Sequence, residues 1–135
     1  MQMKPWETEP NRVEWTTKAG YHGLMVRGYH GAWCGYVGLA PDHPLYGKNY
    51  QEVDVSVHGG LTYGEYCQDD VCYKPKEGEP EHLYWLGFDC VHGYDYAPNL
   101  PWYSADWKTY KDVVYVSNEV EELADQLKEM SIEAK

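Results

Sequence analysis

The chain has 135 residues, a formal net charge of −11 at pH 7 and a sequence pI near 4.8. This length accommodates one hydrophobic core, so we expect a single domain over residues 1–135. The acidic excess argues against direct binding to nucleic acid, because phosphate contacts require clustered Lys and Arg. No run approaches the roughly 18 apolar residues of a membrane span, and the N-terminus lacks the apolar stretch of a signal peptide. We therefore expect a cytoplasmic protein without a membrane partner and, by default, with reduced cysteines.

The first third of the chain is predicted to be antiparallel sheet. Residues 1–10 contain two prolines and mixed charges, which predicts an irregular arm. Strand-like runs follow at 12–17, 23–29 and 32–39, and His30 and Gly31 separate the last two as in a hairpin. Residues 41–49 carry two prolines, a glycine and an asparagine, which predicts an exposed loop.

The middle third is predicted to hold two strands and a long polar loop. Residues 53–57 alternate strictly, which places three valines on a core face and leaves Asp54, Ser56 and His58 on the other. Residues 65–81 form the polar loop, in which Cys67 and Cys72 would tie a short hairpin. Residues 82–91 are the most apolar run, which predicts a central strand, and an irregular stretch follows to about residue 106.

The C-terminal segment is predicted to be an amphipathic helix over residues 109–131. Its apolar residues recur at intervals of three and four, and Thr109 and Asp112 are spaced as in a capping box. We expect this stripe to pack on the sheet, with a homodimer seam as the alternative. The predicted class is α+β: one domain with a mainly antiparallel, twisted β-sheet over residues 11–106 and one long C-terminal α-helix packed on it.

Candidate site residues lie where two strand-like runs each end in a histidine beside glycine. His58 is followed by Gly59 and Gly60, and His92 by Gly93, so backbone can approach a ligand closely at both turns. The chain also has 14 Tyr and 6 Trp against a single Phe, which favours half-exposed binding surfaces. The predicted ligand-binding residues are His58, Gly59, Gly60, Tyr63, Trp85, Asp89, His92 and Asp95.

Two kinds of chemistry are possible at these turns, a metal site and a thiol nucleophile, and each has a simpler structural alternative. His58 and His92, with Asp89 or Asp95, would suit a divalent metal if the two imidazoles lie within about 5 Å of each other beside a carboxylate; otherwise they are ordinary turn residues. Cys90 lies two residues from His92, as in a thiol nucleophile with its base, but its strand face is apolar and predicts a buried core thiol. The cofactor is therefore left unknown.

Several short motifs resemble an uncharacterised family found in bacteriophages and in prophage-like regions of bacterial genomes. The matching stretches are CGYV at 34–37, DHPLYGKNY at 42–50, Asp54 with VHGGLTY at 57–63, WLGFDC at 85–90 with His92 and Asp95, and Tyr115, Val116, Glu119, Leu123 and Ala124 in the helix. They keep one order over about two thirds of the chain. The resemblance implies a phage accessory protein acting in the host bacterial cytosol, with counter-defence as one role.

Three functions remain open from the sequence. The leading hypothesis is a non-enzymatic phage accessory protein that binds a small nucleotide-like ligand in a Tyr/Trp-rich cleft. The second is an acidic inhibitor that imitates nucleic acid and docks on a basic host protein. The third is a metal-dependent hydrolase.

Overall fold

The computed structural model describes residues 4–72, 77–79, 82–100 and 107–133. Its elements in chain order are helix α1 (Pro5–Thr8), strands β1 (Arg12–Thr16), β2 (His22–Arg27), β3 (Trp33–Leu39), β4 (Tyr63–Tyr66) and β5 (Tyr84–Asp89), and helix α2 (Val113–Glu133). The strands form one antiparallel sheet in the order β1-β2-β3-β5-β4. This arrangement confirms the predicted α+β class. Neither helix has a stretch apolar enough to cross a membrane.

Helix α2 lies across one face of the sheet and completes the main core. Its inward residues Val116, Val120, Leu123, Ala124 and Leu127 are fully buried. They pack with sheet residues such as Leu86 and Phe88. Gly35 on β3 allows this close approach, because a Cβ there would lie 2.8 Å from the Val120 side chain. The predicted packing of the helix stripe on the sheet is confirmed.

Residues 53–57 do not form the predicted strand. The alternation itself is correct, since Val53 is buried and Asp54 and Ser56 are exposed. However, the segment joins no sheet, because the helix supplies its hydrogen-bond partners. The Ser56 N–H donates to Gln126 Oε1 at 2.7 Å, and Gln126 Nε2 donates to the Ser56 carbonyl at 2.8 Å. A side chain of α2 thus provides the hydrogen bonds that a neighbouring strand would provide, and it holds the extended segment, residues 53–58, along the helix.

Helix α2 begins later than predicted. Asp112 is its N-cap, because its carboxylate accepts the Tyr115 N–H at 2.8 Å. Thr109, the predicted cap, instead bonds to the chain after β5: its N–H donates to the Tyr94 carbonyl, and its carbonyl accepts the Tyr96 N–H, both at 2.8 Å. This short pairing places the residues just before α2 beside the segment that contains Asp95.

The N-terminal arm needs correction. Residues 5–8 form a helical turn rather than an irregular arm, and Trp6 of that turn stacks on Tyr96.

The polar loop is partly ordered. Residues 65–66 belong to β4, and the chain beyond them turns back through a bridge between Gln68 and Val71, rather than forming a loop throughout. Cys67 and Cys72 close this turn with a disulfide, which confirms the predicted tie between them and contradicts the default of reduced thiols for that pair. The predicted loop continues over residues 73–76 and 80–81, and the predicted irregular stretch includes 101–106; all of these lie outside the described residues.

Glu9 joins the N-terminal arm to the helix and the sheet. Its carboxylate accepts the Val113 N–H at 3.0 Å, the Tyr110 hydroxyl at 2.6 Å and the Trp33 indole N–H at 3.1 Å. Burial alone would raise the Glu9 pKa, but these hydrogen bonds and the charge of Arg27 outweigh it and lower the pKa below its usual value. The ionised form of Glu9 therefore stabilises the fold.

We expect Glu9→Gln to lower the free energy of unfolding by about 2 kcal/mol at neutral pH, because charge-assisted hydrogen bonds are lost. A carboxyl whose pKa is lowered by folding stabilises the protein above its unfolded value, about 4.3, and this contribution is lost as pH falls through the folded value. The difference between wild type and variant, measured by urea denaturation from pH 7 to pH 3, should therefore shrink in acid. Glu52→Gln, at an exposed site, is the control. A difference that stays constant with pH would contradict this role.

Candidate metal centre

His58 is held at the end of the extended segment by three contacts. Its Nε2 lies 2.8 Å and 3.0 Å from the two carboxylate oxygens of Asp95, and its Nδ1 lies 2.9 Å from the Tyr115 hydroxyl. Its backbone N–H donates to Glu119 Oε1 at 2.8 Å. Both ring nitrogens and the backbone are thereby fixed, so the imidazole has a defined orientation.

His92 approaches the same carboxylate from the loop that follows β5. Its backbone N–H donates to Asp95 Oδ2 at 2.9 Å, and its Nδ1 lies 3.2 Å from that oxygen. The outer nitrogen, Nε2, lies 3.8 Å from Asp89 Oδ1. The centroids of the His58 and His92 rings are 5.4 Å apart. One carboxylate oxygen thus faces an imidazole nitrogen from each of two distant segments.

Asp95 is the buried centre of this arrangement, with 1% of its surface exposed. Lys111 Nζ lies 3.2 Å from its Oδ1, on the side away from His92. Burial would raise the Asp95 pKa, but the hydrogen bonds from His58 and the His92 backbone, the charge of His58 and the Lys111 contact together lower it. Asp95 is therefore an ionised carboxylate within the protein.

The three side chains meet the distance condition set for a metal site from the sequence. One ligand atom each from His58, His92 and Asp95 can be chosen so that all lie within 4.8 Å of one another. The carboxylate lies between the two imidazoles, as that condition required. Two imidazole nitrogens and a carboxylate oxygen are a ligand set that suits zinc and related divalent ions.

The outer nitrogens of both imidazoles face groups that can accept a hydrogen bond. A metal-bound histidine usually donates its other ring N–H to such a group, which fixes the ring and its tautomer. The Tyr115 hydroxyl lies 2.9 Å from Nδ1 of His58, and Asp89 Oδ1 lies 3.8 Å from Nε2 of His92. The Tyr115 hydroxyl can either donate to or accept from Nδ1, so it can serve His58 with and without an ion.

The structure brings six of the eight predicted site residues together and separates two. His58, Asp89, His92 and Asp95 surround the centre, and Gly59 packs directly against the His92 ring. Gly60 lies in the same turn, where its N–H donates to the Val57 carbonyl. Asp89 is itself fixed by the Thr62 hydroxyl and the Val91 N–H, each at 3.1 Å.

Tyr63 and Trp85 were wrongly grouped with these residues. Trp85 is fully buried, and it belongs with Tyr63 to a second, smaller apolar cluster that includes Leu24 and Tyr36. This cluster covers the sheet face away from α2, because odd-numbered residues of β5 point opposite to Leu86 and Phe88. Neither ring therefore lines the His58–His92 centre.

Three residues of the centre were missed as site residues by sequence reasoning: Lys111, Tyr115 and Glu119. They are spaced by four residues, which places them along one face where a helix begins. The resemblance already included Tyr115 and Glu119, and their spacing from Lys111 was the available signal. The sequence does not indicate that this face contacts residues 53–58.

Cys90 is a core residue, as predicted. It is 1% exposed and packs in the main cluster, where burial and the nearby carboxylate of Asp95 raise its thiol pKa. A thiolate nucleophile is therefore disfavoured at this position. Cys67 and Cys72 are joined to each other, which leaves neither as a thiolate ligand for zinc.

The comparisons with known proteins add no relative. No protein-family model, no curated protein and no solved structure matches the chain. The centre must therefore be interpreted from its own chemistry.

Gly59 and Gly60 offer a matched test of how His92 is held. Both have positive φ angles, +69° and +80°, but a Cβ would meet the His92 ring only at Gly59 and open space at Gly60. We expect each change to Ala to cost about 1 kcal/mol through the backbone, and only Gly59→Ala to displace His92. Imidazole NMR signals of His92 should shift in Gly59→Ala and stay unchanged in Gly60→Ala. Identical His92 spectra in both variants would contradict the packing described.

Proposed function

We propose that the protein binds one divalent transition-metal ion, best matched by zinc, through His58, His92 and Asp95. The observation that carries the proposal is the convergence of two imidazoles on one buried, ionised carboxylate, with the outer nitrogens of both rings facing further polar groups. Lys111 lies at the other carboxylate oxygen and would remain there as a neighbouring positive charge.

The arrangement is that of a site with an open coordination position. Among the residues that the structure describes, three side chains converge, whereas structural zinc sites generally use four protein ligands. The His92 and Asp89 side chains are 34% and 32% exposed, so the centre has a side accessible to solvent. An ion held by three protein groups would keep a position for water or for a ligand atom.

Hydrolysis is the reaction class that this chemistry supports best. An ion held by His58, His92 and Asp95 would supply a water molecule of lowered pKa for addition to a carbonyl carbon or a phosphorus atom. Glu119 would accept the proton of that water and return it to the leaving oxygen or nitrogen as its bond breaks. Glu119 borders the centre through the His58 N–H, and burial together with Glu122 raises its pKa, which suits a carboxyl that exchanges protons.

An exposed aromatic pair supports a small nucleotide-like ligand, within the role of a phage accessory protein. Tyr94, in the loop between His92 and Asp95, is 78% exposed, and Trp107 is 65% exposed. Their ring centroids are 5.9 Å apart, and Lys108 Nζ lies 4.8 Å from the Trp107 ring centroid. Flat rings beside an ammonium group suit a base and a phosphate. This surface also supports the second candidate function, binding of such a ligand without turnover.

The metal proposal predicts one zinc ion per chain. In calorimetric titration of chelator-treated protein, we expect His58→Ala and His92→Ala to weaken zinc binding at least 100-fold, because each removes a ligand. Tyr115→Phe should weaken it about tenfold, because it removes an outer partner of His58. His82→Gln, which removes an exposed imidazole elsewhere, is the control and should bind like the wild type. A wild type that binds no zinc, or a His58→Ala/His92→Ala double variant that retains it, would overturn the proposal.

The ligand and the reaction are tested together with the zinc-loaded protein. Cyclic oligonucleotides and ADP-ribose derivatives should include one that binds in calorimetry, and binding should weaken about tenfold in Trp107→Ala because stacking is lost. Mass spectrometry of the mixture then separates the two candidates. A hydrolysed product that disappears in His92→Ala supports the hydrolase, whereas an intact ligand supports the non-enzymatic binder. Absence of binding across the panel would contradict the proposed ligand class.

A further inference from the structure

A concave site lies on the sheet face opposite α2. It is a cavity of about 330 Å³, a volume at the lower end of the range for small-molecule pockets. Strands β2 and β3 form its floor through Val26 and Cys34, and the turn at residues 68–71 forms one wall. It is separate from the His58–His92 centre, which lies with α2 at the end of the sheet.

Tyrosine rings line this cavity. Tyr36 and Tyr63 stand nearly perpendicular, with an interplanar angle of 80° and centroids 5.2 Å apart. Tyr29 lies at the rim with 86% of its surface exposed. Burial, with the nearby Cys34, Tyr63 and Asp89, raises the Tyr36 pKa, and burial with Glu65 and Asp69 raises that of Tyr63. Both phenols are therefore neutral at physiological pH; Tyr36 is buried at 8% exposure, whereas the ring of Tyr63 is half-buried and partly accessible.

Two acidic residues belong to the described lining of the cavity. Asp69 and Asp70 contribute carboxylates from the turn. Arg27 supplies the one cationic side chain among the described lining residues, but its guanidinium lies on the other face of the sheet, 4.6 Å from the Trp33 ring centroid and 2.8 Å from the Tyr110 hydroxyl. Burial, and to a smaller extent the charge of Asp89, raises the pKa of the Cys34 thiol to about 11, so this thiol stays protonated.

The acidic wall is held in place before any ligand arrives. The Cys67–Cys72 disulfide closes the turn, and Gln68 and Val71 exchange two backbone hydrogen bonds across it. Arg12 donates to the Asp70 carbonyl at 2.5 Å and to the Cys72 carbonyl at 2.7 Å, while its charge is paired with Glu14. A fixed wall reduces the conformational entropy that binding would otherwise cost.

We propose that this cavity binds a small organic cation of the methylated-ammonium class. The faces of tyrosine rings attract such a cation through their quadrupoles. Neighbouring carboxylates add an electrostatic attraction that a neutral ligand does not experience. The combination of perpendicular rings and two aspartates selects this class over anions, and the volume of about 330 Å³ is sufficient for such a cation. This assignment does not rest on the metal proposal, although Asp89 lies near both sites.

The test compares choline with its neutral carbon isostere, 3,3-dimethylbutan-1-ol. In NMR titration of the full chain, choline should shift signals of Tyr36 and Tyr63 in a saturable manner and bind about tenfold more tightly than the isostere, because only choline carries the charge. Equal affinities would show a merely hydrophobic cleft and overturn the proposal. Absence of saturable shifts with choline would overturn it as well.

Variants locate the binding in the cavity. Tyr63→Leu should weaken choline binding about tenfold, whereas Tyr63→Phe should retain it because the aromatic face remains. Asp69→Asn/Asp70→Asn should also weaken binding, whereas Asp54→Asn, an exposed acid elsewhere, should not. Reduction of the Cys67–Cys72 disulfide should lower affinity by loosening the acidic wall. Unchanged binding in folded Tyr63→Leu, or equal losses in the Asp69/Asp70 and Asp54 variants, would contradict the assignment.

Discussion

The burial of one carboxylate, Asp95, constrains the part of the molecule where the site lies. A buried carboxylate is costly unless it is paired and hydrogen-bonded, and Asp95 meets this requirement with groups from three places in the chain. His58 comes from the extended segment, His92 from the loop after β5, and Lys111 from the residues just before α2. The same contacts that compensate the charge therefore bring together the nitrogen and oxygen atoms that a metal ion requires.

The extended segment at residues 53–58 shows how this arrangement is supported. Its valines pack inward, and its backbone is bonded to Gln126 and Glu119 of the helix instead of to a strand. Helix α2 is in turn fixed by its buried stripe against the sheet and by Glu9 at its N-terminus. The orientation of His58 thus depends on hydrogen bonds along α2 from Tyr115 to Gln126.

Much of this fold could be predicted from the sequence, because local periodicity carries the information. The helix stripe, the first three strands and the two histidine turns follow from alternation and from glycine positions. The alternation at Val53 and Asp54 even gave the correct faces, but it could not reveal that helix side chains replace a strand partner. The placement of Trp85 was predictable from strand parity, since it must face away from Leu86 and Phe88. The burial of Asp95 and its contact with Lys111 depend on long-range contacts that no local pattern encodes.

The two candidate sites use different chemistry on one sheet. The face with α2 ends in imidazoles and a compensated carboxylate, whereas the opposite face carries neutral phenols beside two aspartates of a disulfide-closed turn. The claim on which the functional account depends is the metal centre. X-ray absorption spectroscopy of the zinc-loaded protein tests it most directly: we predict imidazole scattering from two histidines with nitrogen and oxygen ligands at about 2.0–2.2 Å. Sulfur ligands, or a shell of oxygen atoms without imidazole scattering, would contradict the account.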